Sequence, residues 1–378
     1  MSDDTGYIPA PRIAIIRPSA LGDVCRTVPA LVSLRHAYPD ARIDWIVRDS
    51  FAPAIAEHPA LDEAIHFPRS RFSRAGRSIE TSRELWRWLR SLRERGYDMA
   101  YDLQGLARSG FMTWWTGARR RVGFADAREG AFMAYTDRIR VTRAAHTVDR
   151  MLAILEEDGV PIVRDMRLYP PRAATGWWID HASAIGVDLE APYAVLAPTA
   201  RWVAKRWPAG RFASLINPLS ARGVNQILVV GAPGEREQCA RILEAPNGAT
   251  GSRVIDLVGK TNVGQLMAII SRAALIVAND SAALHMAVGL QTPYIALFGP
   301  TDIAKVGPYR GDRWVLQRVE PDERLSHKDD SLGASIMERI TVDAVLERID
   351  ERLGAPVVAA DPIERTRRVA GGDDDGPA

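Results

Sequence analysis

Along the first half of the chain, short apolar runs rich in β-branched and aromatic residues alternate with stretches of helical periodicity. RIAIIR (12–17), RIDWIV (42–47), EAIHF (63–67) and YDMAYDL (97–103) read as strands, each followed by a helix candidate. In ELWRWLRSLRERG (84–96), Leu85, Trp88, Leu89 and Leu92 recur at three- and four-residue steps, arginines take the other face, and Gly96 stops the helix. Strands separated in this way by helices predict βαβ units, hence a parallel sheet covered on both faces. The alternation breaks over residues 159–192, a stretch rich in Pro and Arg with a short helix over 176–185. It restarts with YAVLAP (193–198), NQILVVG (225–231), RVIDLVG (253–259), ALIVAND (274–280) and PYIALFG (293–299). The predicted fold class is therefore α/β, with two doubly wound domains over 11–170 and 193–354 joined by 171–192. A last helical pattern covers 334–353, and the polar, Gly-rich tail 355–378 is predicted to be disordered.

Composition narrows the function classes. At 378 residues the chain exceeds the size at which one core keeps growing, which suits two domains. Its 49 basic and 47 acidic residues leave a net charge of +2, so the overall charge calls for no nucleic acid. Cys25 and Cys239 stand far apart, with neither metal-ligand spacing nor the look of a disulfide framework, which fits a reducing cytosol and no bound metal. The N-terminus has acidic residues and no apolar h-region, and no run approaches the ~18 apolar residues of a membrane span. The chain is expected to be soluble, or at most peripheral.

Ligands of doubly wound sheets collect where strand carboxyl ends meet helix N-termini, so the candidate chemistry is sought in those turns. In RPSALGDVCRTVPAL, Asp23 opens a helix over 23–37. It reads either as a first-turn helix acid or as a rim carboxylate that takes a proton from a substrate hydroxyl, and one position can serve both roles. In APTARWVAKRWPAGRF (197–212), Thr199, Arg201, Lys205 and Arg206 precede a helix begun by Trp207-Pro208. Such a cluster suits a pyrophosphate, or is simply a solvated basic loop. In VVGAPGEREQ (229–238), Gly231 and Gly234 permit close backbone approach, while Glu235 could hold ribose hydroxyls or act as a helix acid. In IVANDSAALHMAVG (276–289), a buried strand ends at Asn279-Asp280-Ser281, and the helix that follows offers free N–H groups to a phosphate. Asp280, repelled by a phosphate, should turn to a sugar hydroxyl or orient the lysine. His285 has the position of a packed helix histidine. Two arginine clusters, FPRSRFSRAGR (67–77) and TGARRRVGF (116–124), are either solvated surface or, if both face the cleft, the mark of an anionic acceptor.

Six segments recur in a fixed order over roughly residues 12–310: PSALGDVCRTVPAL, YDLQGLARSG (101–110), AHTVDR (145–150), APTARWVAKRWP, GAPGERE and NDSAALHMAVGLQTPYIALFGPTD (279–302). As an ordered set they resemble glycosyltransferase family 9, the ADP-heptose:lipopolysaccharide heptosyltransferases. The resemblance implies a GT-B architecture, with two Rossmann-like domains facing across a cleft, the acceptor on the first and the nucleotide sugar on the second. Asp23 matches the family's proposed catalytic base, Lys205 the pyrophosphate lysine, Glu235 the ribose acid and Asp280 the acid that contacts the donor sugar. Thr199, Arg201, Thr261, Ser281, Ala282 and His285 complete the implied donor side, and Ser19, Gly22, Arg69, Arg71, Gln104 and Arg120 the acceptor side. Family members commonly read Asp-Thr-Gly where this chain has Asp280-Ser281-Ala282, and a second threonine of the pyrophosphate loop is replaced by Ala200. An added Cβ at Ala282 matters if the backbone there needs a positive φ or close approach to a ligand.

The implied activity is inverting transfer of heptose or a related sugar from an ADP-sugar to an anionic glycolipid of the lipid A–Kdo type. It needs no cofactor and no metal, since a lysine and arginines stand in place of an Asp-x-Asp pair. The implied location is cytoplasmic, peripheral on the inner membrane. Another nucleotide sugar, a nucleotide-sugar epimerase of the same build and a non-catalytic nucleotide-sugar binder remain as alternatives. A Rossmann dehydrogenase is disfavoured because no GxGxxG follows the first strand.

Overall fold

The computed structural model describes residues 10–143, 145–245, 251–326 and 328–354; the predicted disordered tail 355–378 lies outside them. Two six-stranded parallel sheets organise the chain. The first contains β1 (Arg12–Ile16), β2 (Arg42–Arg48), β3 (Glu63–Phe67), β4 (Met99–Asp102), β5 (Arg120–Phe124) and β6 (Asp137–Ile139), in the order β3-β2-β1-β4-β5-β6. The second contains β7 (Tyr193–Ala197), β8 (Gln226–Val229), β9 (Arg253–Asp256), β10 (Leu275–Asn279), β11 (Tyr294–Phe298) and β12 (Val315–Gln317), in the order β12-β11-β10-β7-β8-β9. Strand order reverses between β1 and β4 and again between β7 and β10, the switch points where such sheets bind ligands. Ile13–Ile16 and Leu275–Ala278 are fully buried, which is why the central strands read as unbroken apolar runs.

β5, β6 and β12 carry no readable strand signal. β6 and β12 have three residues each, too few for a period to show. β5 begins with Arg120 and Arg121, whose side chains leave the sheet at its amino-terminal edge. There Arg120 pairs with Asp158 and Asp137, and Arg121 donates to the carbonyls of Ala118 and Ala134. Helices begin earlier than their periodicity indicates, at Leu21–Ala37, Ile79–Glu94 and Arg172–Ala184: Ser78 caps the second, and carboxylates of Asp23 and Glu57 accept the Ala20 and Arg172 N–H groups at the other two. The last helical pattern divides into Asp330–Arg339 and Val342–Leu353, capped by the side chains of Asp329 and Thr341.

The two halves share a floor. Helix Leu21–Ala37 packs on Thr147–Glu157 of its own half and on Ala282–Gly289 of the other, and one buried cluster runs from Ile15 and Leu31 through Trp178 to Leu284 and Met286. Helix Arg172–Ala184 is built into the second half: Trp178 Nε1 donates to Tyr193 Oη at 3.2 Å, which donates to the Ile269 carbonyl at 2.6 Å. At the join, buried His58 meets the edge of Tyr169 and accepts the Ala60 N–H at Nδ1, 3.1 Å. Burial, opposed by Asp165, brings its imidazole down to about 4. The native state thus keeps His58 neutral while the unfolded chain protonates it near pH 6.5. This stabilisation is complete above pH 6.5 and is lost as pH falls towards 4, by up to about 3 kcal/mol. Melting curves at pH 7.5 and 5 are expected to diverge less for His58→Gln than for the wild type.

Candidate active site

The turn after β1 carries Asp23 in the first turn of helix Leu21–Ala37. Its Oδ2 accepts the Ala20 N–H at 3.2 Å and Arg17 Nη2 at 3.1 Å, and its Oδ1 accepts from Arg26 Nη2. Both arginines are buried, 7% and 8% exposed, whereas the Asp23 side chain is 25% exposed. The cations therefore back the carboxylate from below while it faces outward. Burial alone would raise the Asp23 carboxyl, but Arg17, Arg26 and the Ala20 N–H outweigh it and hold the group at about 2. Asp23 sits where a first-turn helix acid does, and its Oδ1 keeps a lone pair beyond the bond to Arg26. Neither arginine was singled out in the sequence, although the i,i+3 spacing of Asp23 and Arg26 was a usable signal.

Across the switch point, Asp102 ends β4. Fully buried, it accepts the N–H groups of Gln104 and Gly105 and the Tyr135 hydroxyl at 2.6 Å; burial pushes its carboxyl up. The turn so fixed presents Gln104 Oε1 to the Ser19 N–H at 3.2 Å, which brings those two candidates together. Beside them opens a pocket of about 360 Å³ lined by Arg17, Gln104, Arg128, Arg143 and Arg150 around Asp126. Asp126 binds Arg143 at 2.6 Å and Arg150 at 3.1 Å, so cations outnumber the acid and the pocket suits an anion.

Part of the predicted acceptor side lies away from that pocket. Arg120 starts β5 opposite Met99, roughly 13 Å along the strand from the carboxyl edge, and its partners Asp158 and Asp137 hold it at the far rim. Arg120 and Arg121 therefore do not face the cleft. Arg69 and Arg71 follow β3 on exposed surface, with Arg71 bound to Glu84. The family stretch AHTVDR did contain Arg150, but nothing in its local pattern tied it to Asp126.

On the second half, buried Asn279 ends β10 and pins both ends of the basic loop: its Nδ2 donates to the Pro198 carbonyl at 2.6 Å and its Oδ1 accepts the Trp207 N–H at 3.2 Å. The loop so held directs Lys205 Nζ to Asp280 Oδ2 at 2.6 Å. Asp280 thus takes the lysine-orienting position anticipated for it. Helix Ala282–Gly289 begins beyond Ser281, whose extended backbone makes no side-chain cap among the described residues. Ala282 lies inside the helix and needs no positive φ, so the backbone half of the concern about its Cβ falls away. A Cβ on Gly231 would sit 2.9 Å from Thr199 Cγ2 and 3.6 Å from Glu235 Oε2, so glycine lets these two candidates converge. Glu235 Oε2 also accepts the Ala232 N–H at 2.8 Å, a capping bond. Arg201 is exposed over the Trp202 ring, and Thr261 lies half-buried in the loop after β9.

The two turns meet. A Cβ on Gly22 would lie 2.8 Å from His285 Cδ2 and 3.7 Å from Ala282 Cα. His285 is buried against this contact, and burial holds its imidazole well below the usual range, so it packs the halves together as a neutral ring. Further out, Arg26 Nη1 donates to the Val306 carbonyl at 3.1 Å, Thr147 to that of Lys305 and Tyr309 to Asp149. Gly22→Ala is expected to push the turns apart, lowering kcat/KM about 10²-fold for a destabilisation of about 1–3 kcal/mol, as read by kinetics and thermal melting.

Comparison with known proteins identifies the family. Residues 85–333 match the family described as Glycosyltransferase family 9 (heptosyltransferase). Lipopolysaccharide heptosyltransferase 1 of Pseudomonas aeruginosa is 29% identical over 301 residues, 79% of this chain and 81% of that protein. The Escherichia coli K12 protein of the same name is 26% identical over 318 residues, 83% and 95% of the two chains. The solved structure of E. coli heptosyltransferase WaaC with ADP-2-deoxy-2-fluoro heptose superposes with a TM-score of 0.69 at 25% identity, over 90% of this chain and 99% of that one. A family 9 glycosyl transferase from Veillonella parvula, 22% identical with a TM-score of 0.77 over 92% and 98% of the two chains, shares the fold. With its paired parallel sheets and this family match, the chain belongs to glycosyltransferase family 9 and is a glycosyltransferase of GT-B architecture.

Proposed function

We propose that the protein transfers a heptose, or a closely related sugar, from an ADP-sugar to an inner-core lipopolysaccharide or similar glycolipid, inverting the anomeric centre in one displacement. The observation that carries this reading is the meeting, at Gly22 and His285, of the turn that bears Asp23 with the helix that follows Asp280, the partner of Lys205. The similar relatives are lipopolysaccharide heptosyltransferases, and the WaaC structure holds an ADP-heptose analogue.

In this mechanism the acceptor hydroxyl approaches the free lone pair of Asp23 Oδ1. A carboxyl held at about 2 is a weak base, so the proton passes to it as the new C–O bond forms and not before. The anomeric C–O bond breaks with its electron pair leaving on ADP. Lys205, Arg201 and the first N–H groups of helix Ala282–Gly289 receive the growing charge on the pyrophosphate. Asp280 shares Lys205 with the arriving phosphate and can turn its second oxygen to a sugar hydroxyl. Arg128, Arg143 and Arg150 suit an anionic acceptor beside Asp23.

Glycolipid acceptors are anchored in a bilayer, so the protein is assigned to the cytoplasmic face of the inner membrane as a peripheral enzyme. No described helix is long and apolar enough to cross a membrane. The test is incubation with a panel of nucleotide sugars and a lipid A–Kdo acceptor, following nucleoside diphosphate release. ADP release only with ADP-heptose and acceptor together supports the proposal. Turnover of the donor alone favours the epimerase alternative, and binding without turnover favours a non-catalytic binder.

A further inference from the structure

Helices Ile79–Glu94 and Ala107–Trp115 cover the face of the first sheet opposite helix Leu21–Ala37, burying Leu92 and Met112 against Ile16, Ile46 and Ala100. Their outer surface is unusually apolar. Trp86, Phe111 and Trp114 are 58%, 46% and 50% exposed, and through Trp115 they form one continuous cluster, with ring centroids 5.4–5.7 Å from that of Trp115. Phe132 and Met133 are also exposed, on a turn that packs against helix Ala107–Trp115 at Gly110. Ile79 and Trp86 share an open depression of about 550 Å³ with Arg77, Arg83 and Arg87. Residues 67–95 hold nine arginines and three glutamates, against a whole-chain net charge of only +2. Trp86 is the residue that helical periodicity does not account for, since it lies on the arginine face of its helix.

We infer that this flank is a membrane-contact surface: the aromatic cluster enters the interface of an anionic leaflet while Arg77, Arg83 and Arg87 engage lipid phosphates. Indole rings favour the boundary between headgroups and acyl chains, and arginines beside them can keep their stems in apolar surroundings with their heads on phosphate. A contiguous exposed apolar patch with a charged rim is a docking surface, and the charge selects the partner. A symmetric dimer through this patch would set the same arginines of two copies face to face, whereas an anionic leaflet complements them. The inference rests on the reading of a lipid-anchored acceptor, because the flank belongs to the half that carries Asp23 and the arginine pocket.

Flotation of the full chain with vesicles tests it. The wild type is expected to float with phosphatidylethanolamine–phosphatidylglycerol vesicles and not with phosphatidylcholine alone. Arg83→Glu/Arg87→Glu should cut that partitioning about tenfold or more, and Trp86→Ala/Trp114→Ala should abolish it. Both variants should keep the wild-type melting temperature and turnover on a deacylated, soluble acceptor. Unchanged flotation of the variants, or equal flotation on phosphatidylcholine, overturns the inference. So does a wild-type dimer that Trp86→Ala/Trp114→Ala dissociates with no change in flotation. Absence of transfer from ADP-heptose with charge-dependent flotation intact would overturn the proposed reaction and leave the surface standing.

Discussion

Replacing Asp23 with Asn is expected to lower kcat by about 10³-fold or more while changing the donor KM less than about threefold. The amide still accepts the Ala20 N–H, so the turn keeps its shape, but it has no lone pair basic enough to take the acceptor proton. It also leaves Arg17 and Arg26 facing a neutral group. Both arginines are buried, and loss of a buried partner typically costs about 3–5 kcal/mol, somewhat less here because the Asp23 side chain remains partly solvated. A melting curve therefore has to accompany the kinetics. Near-normal turnover by a folded variant would remove Asp23 from the base role. The pH dependence adds a check with a definite sign. A carboxyl depressed to about 2 stays ionised throughout the neutral range, so any fall in wild-type kcat/KM between pH 7 and 5 comes from other groups. The ion pairs' contribution to stability is present above pH ~4 and is lost only as pH falls towards 2.

Lys205→Met is expected to lower kcat by about 10²–10³-fold and to weaken ADP binding, measured by steady-state kinetics and calorimetry. Two effects add. The leaving pyrophosphate loses its nearest point charge, and Asp280, almost fully buried, loses its 2.6 Å partner and repels the donor. Asp280→Asn separates them, since it keeps the lysine but releases it from its tether; a fall of only about tenfold is expected. Lys205→Arg should rescue poorly, because a planar fork does not fit where a compact ammonium sits between Asp280 and the phosphate. If ADP binds equally well to the wild type and to Lys205→Met, the donor site lies elsewhere.

The architecture was legible because its signals are local. A fully buried strand is an apolar run of five or six residues, and a surface helix repeats its apolar face every three or four, so both are readable within a dozen residues. The turn candidates followed from that, because in parallel sheets the productive turns are the ones that follow strands. Asp23, Lys205, Asp280 and Glu235 became candidates in this way, whereas Gln104 and Ser19 came only with the family resemblance. Arg120 was put on the acceptor side by the family resemblance, and only the register of β5 against β4 shows those arginines at the opposite edge. Trp86 stood in no pattern, because periodicity counts spacing and not which face stays wet.

From sequence alone came two doubly wound halves, the order of their turns and the residue types able to handle a diphosphate and a hydroxyl, since these depend on neighbours along the chain. Only tertiary structure decided that Arg17 and Arg26 hold the Asp23 carboxylate low, that Gly22 must be glycine to admit His285, and that Arg128, Arg143 and Arg150 form the anion pocket. Gly22 and His285 lie far apart in sequence, and even Arg17, Asp23 and Arg26, near neighbours along the chain, are aimed at one another only by the fold. Charge and steric fit act through distances of a few ångströms, which a linear pattern does not contain until the chain has folded.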